Sequence, residues 1–303
     1  MTHPQIAAFA RLAKENTPPV RALEGQKTLI SRTMHGFGYD ATHDEIVVTS
    51  PLTQSILIFR GAANGEERPI RVIQGPHTQI LGTAGGGLDK VSVDPVNNEI
   101  LLPIAPGGIL VFDREANGDV APKRLLSGPD TQIRGMSPVV VDPVHNAMIV
   151  NSGGAMLIFD RTASGNAKPK AVIRGPKSLM AAISTIQVYP PNGWIIGGCD
   201  RAPGMAGSSP AVCAWSVNDN GDVAPRWKIP VQQLTGYAPS GIALDPVHRE
   251  FLEVKLRPQI HLEITKYEIP KFVRLGCRGY SRFFAIASAG WRLPFQNVLR
   301  DLS

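Results

Sequence analysis

The chain is built from one unit repeated about every fifty residues. Its clearest copy runs Val139-Val140-Val141-Asp142-Pro143-Val144-His145-Asn146, then Met148-Ile149-Val150, then Leu157-Ile158-Phe159-Asp160-Arg161. An aromatic near the end of the third apolar run recurs at Phe9, Phe59, Phe112, Phe159, Trp215 and Tyr267, in steps of 50, 53, 47, 56 and 52 residues. A period of this length implies a propeller or solenoid, because one unit cannot bury its apolar faces alone and must stack on its neighbours. Glycine at 30 and proline at 26, with 18% charged residues, suit many short strands joined by tight turns, so the chain reads as all-β.

Each unit reads as four strands. The first ends at Asp40-Ala41-Thr42, Asp94-Pro95-Val96, Asp142-Pro143-Val144, Tyr189-Pro190-Pro191 or Asp245-Pro246-Val247, where an aspartate can bond the backbone two residues on and a proline presets φ. The second follows at once, for example Glu45-Ile46-Val47-Val48 or Glu99-Ile100-Leu101-Leu102, and the third carries the aromatic. A turn at Asn64-Gly65, Asn117-Gly118, Ser164-Gly165 or Asn220-Gly221 comes next, a strong hairpin signal. A fourth strand led by a proline suits an outer edge and ends at Gly75, Gly128 or Gly175.

The stretch from Ile6 to Gly25 matches only the second half of a unit, so the chain starts in mid-blade. Residues Arg282 to Ala287 and Trp291 to Phe295 can supply the two missing inner strands. The expected fold is therefore one domain over residues 1–303, a β-propeller of six four-stranded antiparallel blades closed by both termini. The alternative is five blades followed by a non-repeat tail, because the marker residues fade after Glu250. Residues 251–303 are also basic, with nine Lys or Arg against four acids, while the rest of the chain nets +1 of the total +6. The N-terminal run, rich in alanine, can also be read as a short helix.

The pattern of apolar run, Asp-Pro, Glu-Ile-Val-Val, Ile-Leu-Val-Phe-Asp and Asn-Gly resembles the NHL-type propeller repeats over about residues 18 to 250, and more loosely the six-bladed lactonase and strictosidine-synthase-like propellers. The resemblance implies the fold and not an activity, since propellers host scaffolds, binders and enzymes alike. Lactonase-like relatives hold a divalent cation at the axial channel with carboxylate and amide oxygens. Here the residues entering the inner strands are Met34-His35, Asp89-Lys90, Met136-Ser137, Ser184-Thr185 and Pro239-Ser240, with Asp89 as the one carboxylate.

Two functional readings follow. The preferred one is a non-catalytic scaffold that binds a protein or small ligand on the channel face through Ser137, Ser184, Thr185 and Ser240, with Met205 in the individual loop Ala202 to Ser209; no cofactor is expected. The alternative is a propeller hydrolase or lyase using His35, Asp89 and Lys90, with a divalent metal at the channel. His43, His145 and His248 recur at equivalent turns and read as surface turn residues, not a metal cluster.

No apolar run is long enough for a membrane span, and no compact basic cluster or nucleic-acid motif accompanies the basic segment. A monomer is expected, cytoplasmic as the sequence is written and secreted if an export signal precedes it. Cys199 and Cys213 fall on neighbouring strands of one hairpin. A bridge is geometrically open to them, but two buried thiols are the preferred reading in a reducing compartment.

Overall fold

The computed structural model describes residues 5–10, 17–31, 36–80, 90–180, 185–200, 211–230, 241–245, 250–256, 262–268 and 284–287; the last three segments are described as backbone. These residues form an all-β protein of antiparallel sheets with short 3-10 turns between them. In chain order the strands are β1 (Gln5–Ala8) and β2 (Arg21–Glu24); β3 (Phe37–Asp40), β4 (Glu45–Ser50), β5 (Ser55–Arg60) and β6 (Arg71–Gln74); β7 (Ser92–Asp94), β8 (Glu99–Ile104), β9 (Gly108–Asp113) and β10 (Arg124–Ser127). The next are β11 (Val139–Asp142), β12 (Ala147–Ser152), β13 (Ala155–Asp160) and β14 (Ala171–Ile173), then β15 (Ile186–Tyr189), β16 (Trp194–Cys199), β17 (Ala211–Ser216) and β18 (Trp227–Pro230). Last come β19 (Gly241–Asp245), β20 (Glu250–Leu256), β21 (Leu262–Glu268) and β22 (Phe284–Ala287).

Four sheets have four strands each, β3–β6, β7–β10, β11–β14 and β15–β18, every strand pairing with the next in sequence. We call them the second to fifth sheets. The sixth holds β19, β20 and β21, and the first is ordered β2-β1-β22. Both ends of the chain thus share the first sheet, with Ile6 opposite Ile286 and Ala8 opposite Phe284. The N-terminal run is a strand and not the helix that its alanines allow: a four-residue segment gains more from two flanking partners than from helix propensity, which is a weak prior.

Successive sheets stack in chain order. The first strand of each lies beside the first strand of the next, β3 by β7, β7 by β11, β11 by β15 and β15 by β19. This stacking explains why second and third strands read as continuous apolar runs: each is covered on both faces, and β4, β8, β12 and their third-strand partners are buried almost throughout. Side chains alternate between the two faces, so Ile46, Val48, Leu57 and Phe59 join a core with Ile6 and Leu23 of the first sheet. Val47, Ile56, Ile58 and Ile73 face the other way, toward Ile100, Leu110 and Phe112. The aromatics Phe59, Phe112, Phe159 and Trp215 each plug the core shared with the preceding sheet, as Phe159 does with Leu101, Ile109 and Val111 and Trp215 with Ile149, Met156 and Ile158.

The Asn-Gly and Ser-Gly turns do more than reverse the chain. Gly65, Gly118, Gly165 and Gly221 each form a parallel bridge to the outer strand of the preceding sheet, at Leu23, Ile73, Leu126 and Ile173. At Gly118 the N–H donates to the Val72 carbonyl at 2.6 Å and the carbonyl accepts from Gln74 N at 3.1 Å. The Asn117 side chain adds a bond from Val72 N at 2.9 Å, repeated by Asn64 with Ala22 N and by Asn220 with Val172 N. Gly118 has φ 81, which an L side chain adopts at a cost.

Candidate functional site

The polar residues at the entries to the innermost strands are the candidate site. Lys90 is half-buried just before β7, and its Nζ donates to the Met136 carbonyl at 3.3 Å, reaching from the third sheet to the segment entering the fourth. Ser137 is 5% exposed, and its hydroxyl donates to the Arg134 carbonyl at 2.9 Å. The same connection is tied down at Arg134, whose N–H donates to Ser152 Oγ at 2.8 Å, and at Gly135, which bridges Gly107 of the third sheet. Thr185 Oγ1 accepts the Ile242 N–H at 3.3 Å, joining the fifth sheet to the sixth.

Of the residues singled out from sequence, the structure therefore places Lys90, Ser137 and Thr185 at strand entries, each bonded to backbone of a connection or of a neighbouring sheet. His35, Asp89, Ser184, Met205 and Ser240 lie outside the described residues. Gln187 on β15 is an addition that sequence reasoning missed: its side-chain amide donates to the Ile242 carbonyl at 3.2 Å, so Thr185 and Gln187 bracket one residue of the sixth sheet. Near this end the inner strands lie close, and a methyl group on Gly38 would fall 2.8 Å from the Val93 side chain.

The turn aspartates act as their spacing implies. Buried Asp40, Asp94 and Asp142 each accept two backbone N–H groups through Oδ1, at 2.9 Å from Thr42 and His43 in the first case. Their second oxygens hold His43 Nδ1 at 2.7 Å, Asn97 Nδ2 at 2.8 Å and His145 Nδ1 at 2.8 Å. His145 also packs its ring against the Gly193 turn of the fifth sheet, so it is a wedge between neighbouring turns as well as a turn residue. Among the described residues no three His, Cys, Asp or Glu side chains converge as a metal site.

A second polar system sits at the opposite end of the strands. Glu45 accepts from Arg71 of its own sheet at 2.7 Å and from Arg114 of the third sheet at 3.1 Å. Glu99 repeats the arrangement with a two-pronged bond from Arg124, 2.6 and 2.7 Å, and one from Arg161 of the fourth sheet at 3.0 Å. Burial disfavours the Glu99 charge, yet the Arg124 hydrogen bond and charge, with Arg161 and Lys123, outweigh it and hold the carboxyl below its usual range.

A third repeated element had a sequence signal that the strand pattern obscured, Gly-x-x-Thr/Ser-x-Ile/Met at Gly25, Gly75, Gly128 and Gly175. Thr28, Thr78, Thr131 and Ser178 are fully buried, and each hydroxyl donates to its glycine's carbonyl at 2.6 Å. The next sheet clamps this turn: Asp119 accepts the His77 N–H at 2.7 Å and lies 2.6 Å from His77 Nδ1.

Cys199 and Cys213 form a disulfide, with Cα atoms 5.8 Å apart. This corrects the preference for two thiols. In the register Cys199 stands opposite Ala211 and Cys213 opposite Gly197, so the bridge runs diagonally across β16 and β17, and the small residues opposite leave room for it.

No protein-family model matches the chain, and no curated protein matches it. Among the described residues no helix is long and apolar enough to cross a membrane.

Proposed function

We propose that the protein is a six-bladed propeller of NHL-like type, closed by its first and last strands in one blade, and that it acts as a binding scaffold. Its ligand, a protein segment or a small molecule, would lie on the face formed by the entries to the innermost strands. The observation that carries this reading is the use made of the polar groups there. Among the described residues Lys90, Ser137 and Thr185 are engaged with neighbouring backbone, which supports a fixed, polar rim suited to binding.

The test is a thermal-shift screen of the whole protein against short peptides, small carboxylates, nucleotides and lactones, repeated on Thr185→Trp and Ser137→Trp, which place bulk at the rim. The reading expects at least one compound to raise the melting temperature without being converted, and the shift to fall in one of the two variants. Turnover of a lactone or ester by the purified protein overturns it, as does a stabilising compound indifferent to both substitutions.

A further inference from the structure

We infer that the Cys199–Cys213 bridge is made before the fourth and fifth sheets dock, so that the redox state of this pair is fixed at folding and the chain matures where a disulfide donor is present. Both sulfur-bearing residues are 0% exposed. They belong to the core between the two sheets, packed with Ile149, Met156 and Ile158 on one side and Ile186, Ile195 and Trp215 on the other.

Forming the bridge takes two steps. One cysteine thiolate attacks a sulfur of a donor disulfide, breaking the donor's S–S bond to give a mixed disulfide and a first donor thiolate. The second cysteine thiolate then displaces the remaining donor sulfur. Two thiols of the chain are oxidised, their two protons leave, and the donor disulfide is reduced to two thiols. Both steps need an attacking sulfur to reach its target in line. Nothing as large as glutathione reaches a sulfur in a residue that is 0% exposed within this core, so the exchange precedes docking. The same cover protects the finished bridge from reductants afterwards. A pair this deep is a structural bridge and not a surface switch, and such bridges belong to oxidising compartments.

The test uses the full chain with Cys277→Ser, refolded from guanidinium in two ways. In the first, a mixture of reduced and oxidised glutathione is present throughout. In the second, dithiothreitol is present during folding and oxidised glutathione is added to the folded, desalted protein. Peptide mapping after denaturing alkylation reads the pair. The inference expects linked Cys199 and Cys213 peptides in the first sample and two alkylated cysteines in the second. A bridge forming within minutes in the folded second sample overturns it, as do free thiols in the first. Should the reduced chain fail to fold, the bridged protein is exposed to dithiothreitol across a denaturant series. Release of thiols is then expected to be roughly a hundredfold slower in buffer than in unfolding guanidinium and to follow the unfolding transition. Release at a denaturant-independent rate contradicts the inference.

Discussion

Glu99 at the start of β8 and Arg161 just past the end of β13 meet at 3.0 Å across the boundary between the third and fourth sheets. The positions recur. The first residues of the second and fourth strands are Glu45 and Arg71, Glu99 and Arg124, Ala147 and Ala171, then Trp194 and Trp227, while the residue just past the third strand of the following sheet is Arg114, Arg161 or Val217. In the fourth sheet the glutamate and both arginines are replaced together, and Ala147, Ala171 and Val217 pack in one apolar cluster; in the fifth, Trp194 and Trp227 take the first two positions and meet edge to face at 6.0 Å. A buried charge left without its partner is costly, so this position changes as a set.

Removing one member alone is therefore expected to be expensive. Glu99→Ala leaves Arg124 and Arg161 facing each other and should cost about 3–5 kcal/mol by urea unfolding at neutral pH. Replacing the set with its apolar counterpart, Glu99→Ala with Arg124→Ala and Arg161→Val, should recover a large part of that loss. A triple variant as unstable as the single one would show that the ion pairs themselves, and not the uncompensated charge, dominate.

The same group sets a pH dependence. Its folded-state pKa lies below its ordinary unfolded value, so it contributes stability that is complete above the unfolded value and is lost as pH falls through the lower folded value. Unfolding measured from pH 7 to pH 3 should show a steeper acid loss in the native protein than in Glu99→Gln. Parallel curves would remove this carboxylate from the acid response.

Two glycines with positive φ should respond differently. Gly118 and Gly75 both have positive φ, at 81 and 134, and nothing stands within 4 Å of a methyl group added to Gly118. Gly118→Ala should cost about 1 kcal/mol, the backbone cost alone. A methyl on Gly75 falls inside the Asp119 carboxylate that clamps His77, so Gly75→Ala should cost at least twice as much. Equal losses would mean that the clamp contributes nothing.

Closure by both termini can be tested through the backbone of β22. Alternate N–H groups of a strand face a given neighbour, so of Ala285→Pro and Ile286→Pro at least one removes a bond to β1, and its melting temperature should fall by several degrees. No effect from either would place the C-terminal segment outside the fold.

Much of this architecture was legible in sequence, because the informative signals were local. Asp142-Pro143 followed four residues on by Ala147 marks a turn and a strand with no knowledge of the neighbours. What escaped was set by groups far apart in the chain. Asn117 reads as a hairpin residue, but its side chain bonds Val72, 45 residues upstream. Glu45 and Arg114 are 69 residues apart, and nothing near either position announces the other. The rim residues illustrate the same limit: Lys90 and Thr185 could be placed at strand entries, yet their partners are Met136, in the connection entering the fourth sheet, and Ile242, in the sixth. The cysteine pair reads as two thiols when a reducing compartment is assumed, and the structure overturns that preference, since the choice depends on the packing that brings Cα atoms to 5.8 Å.

The most direct measurement is elemental analysis of the purified, gently dialysed protein, with thermal unfolding followed in the presence and absence of calcium, zinc or magnesium. A binding scaffold predicts a cooperative transition, no stoichiometric metal, and no shift that saturates with any one ion. One metal per chain, with a saturating rise in melting temperature that Asp89→Asn or His35→Ala abolishes, would contradict the scaffold reading and make the channel a hydrolytic or lyase centre.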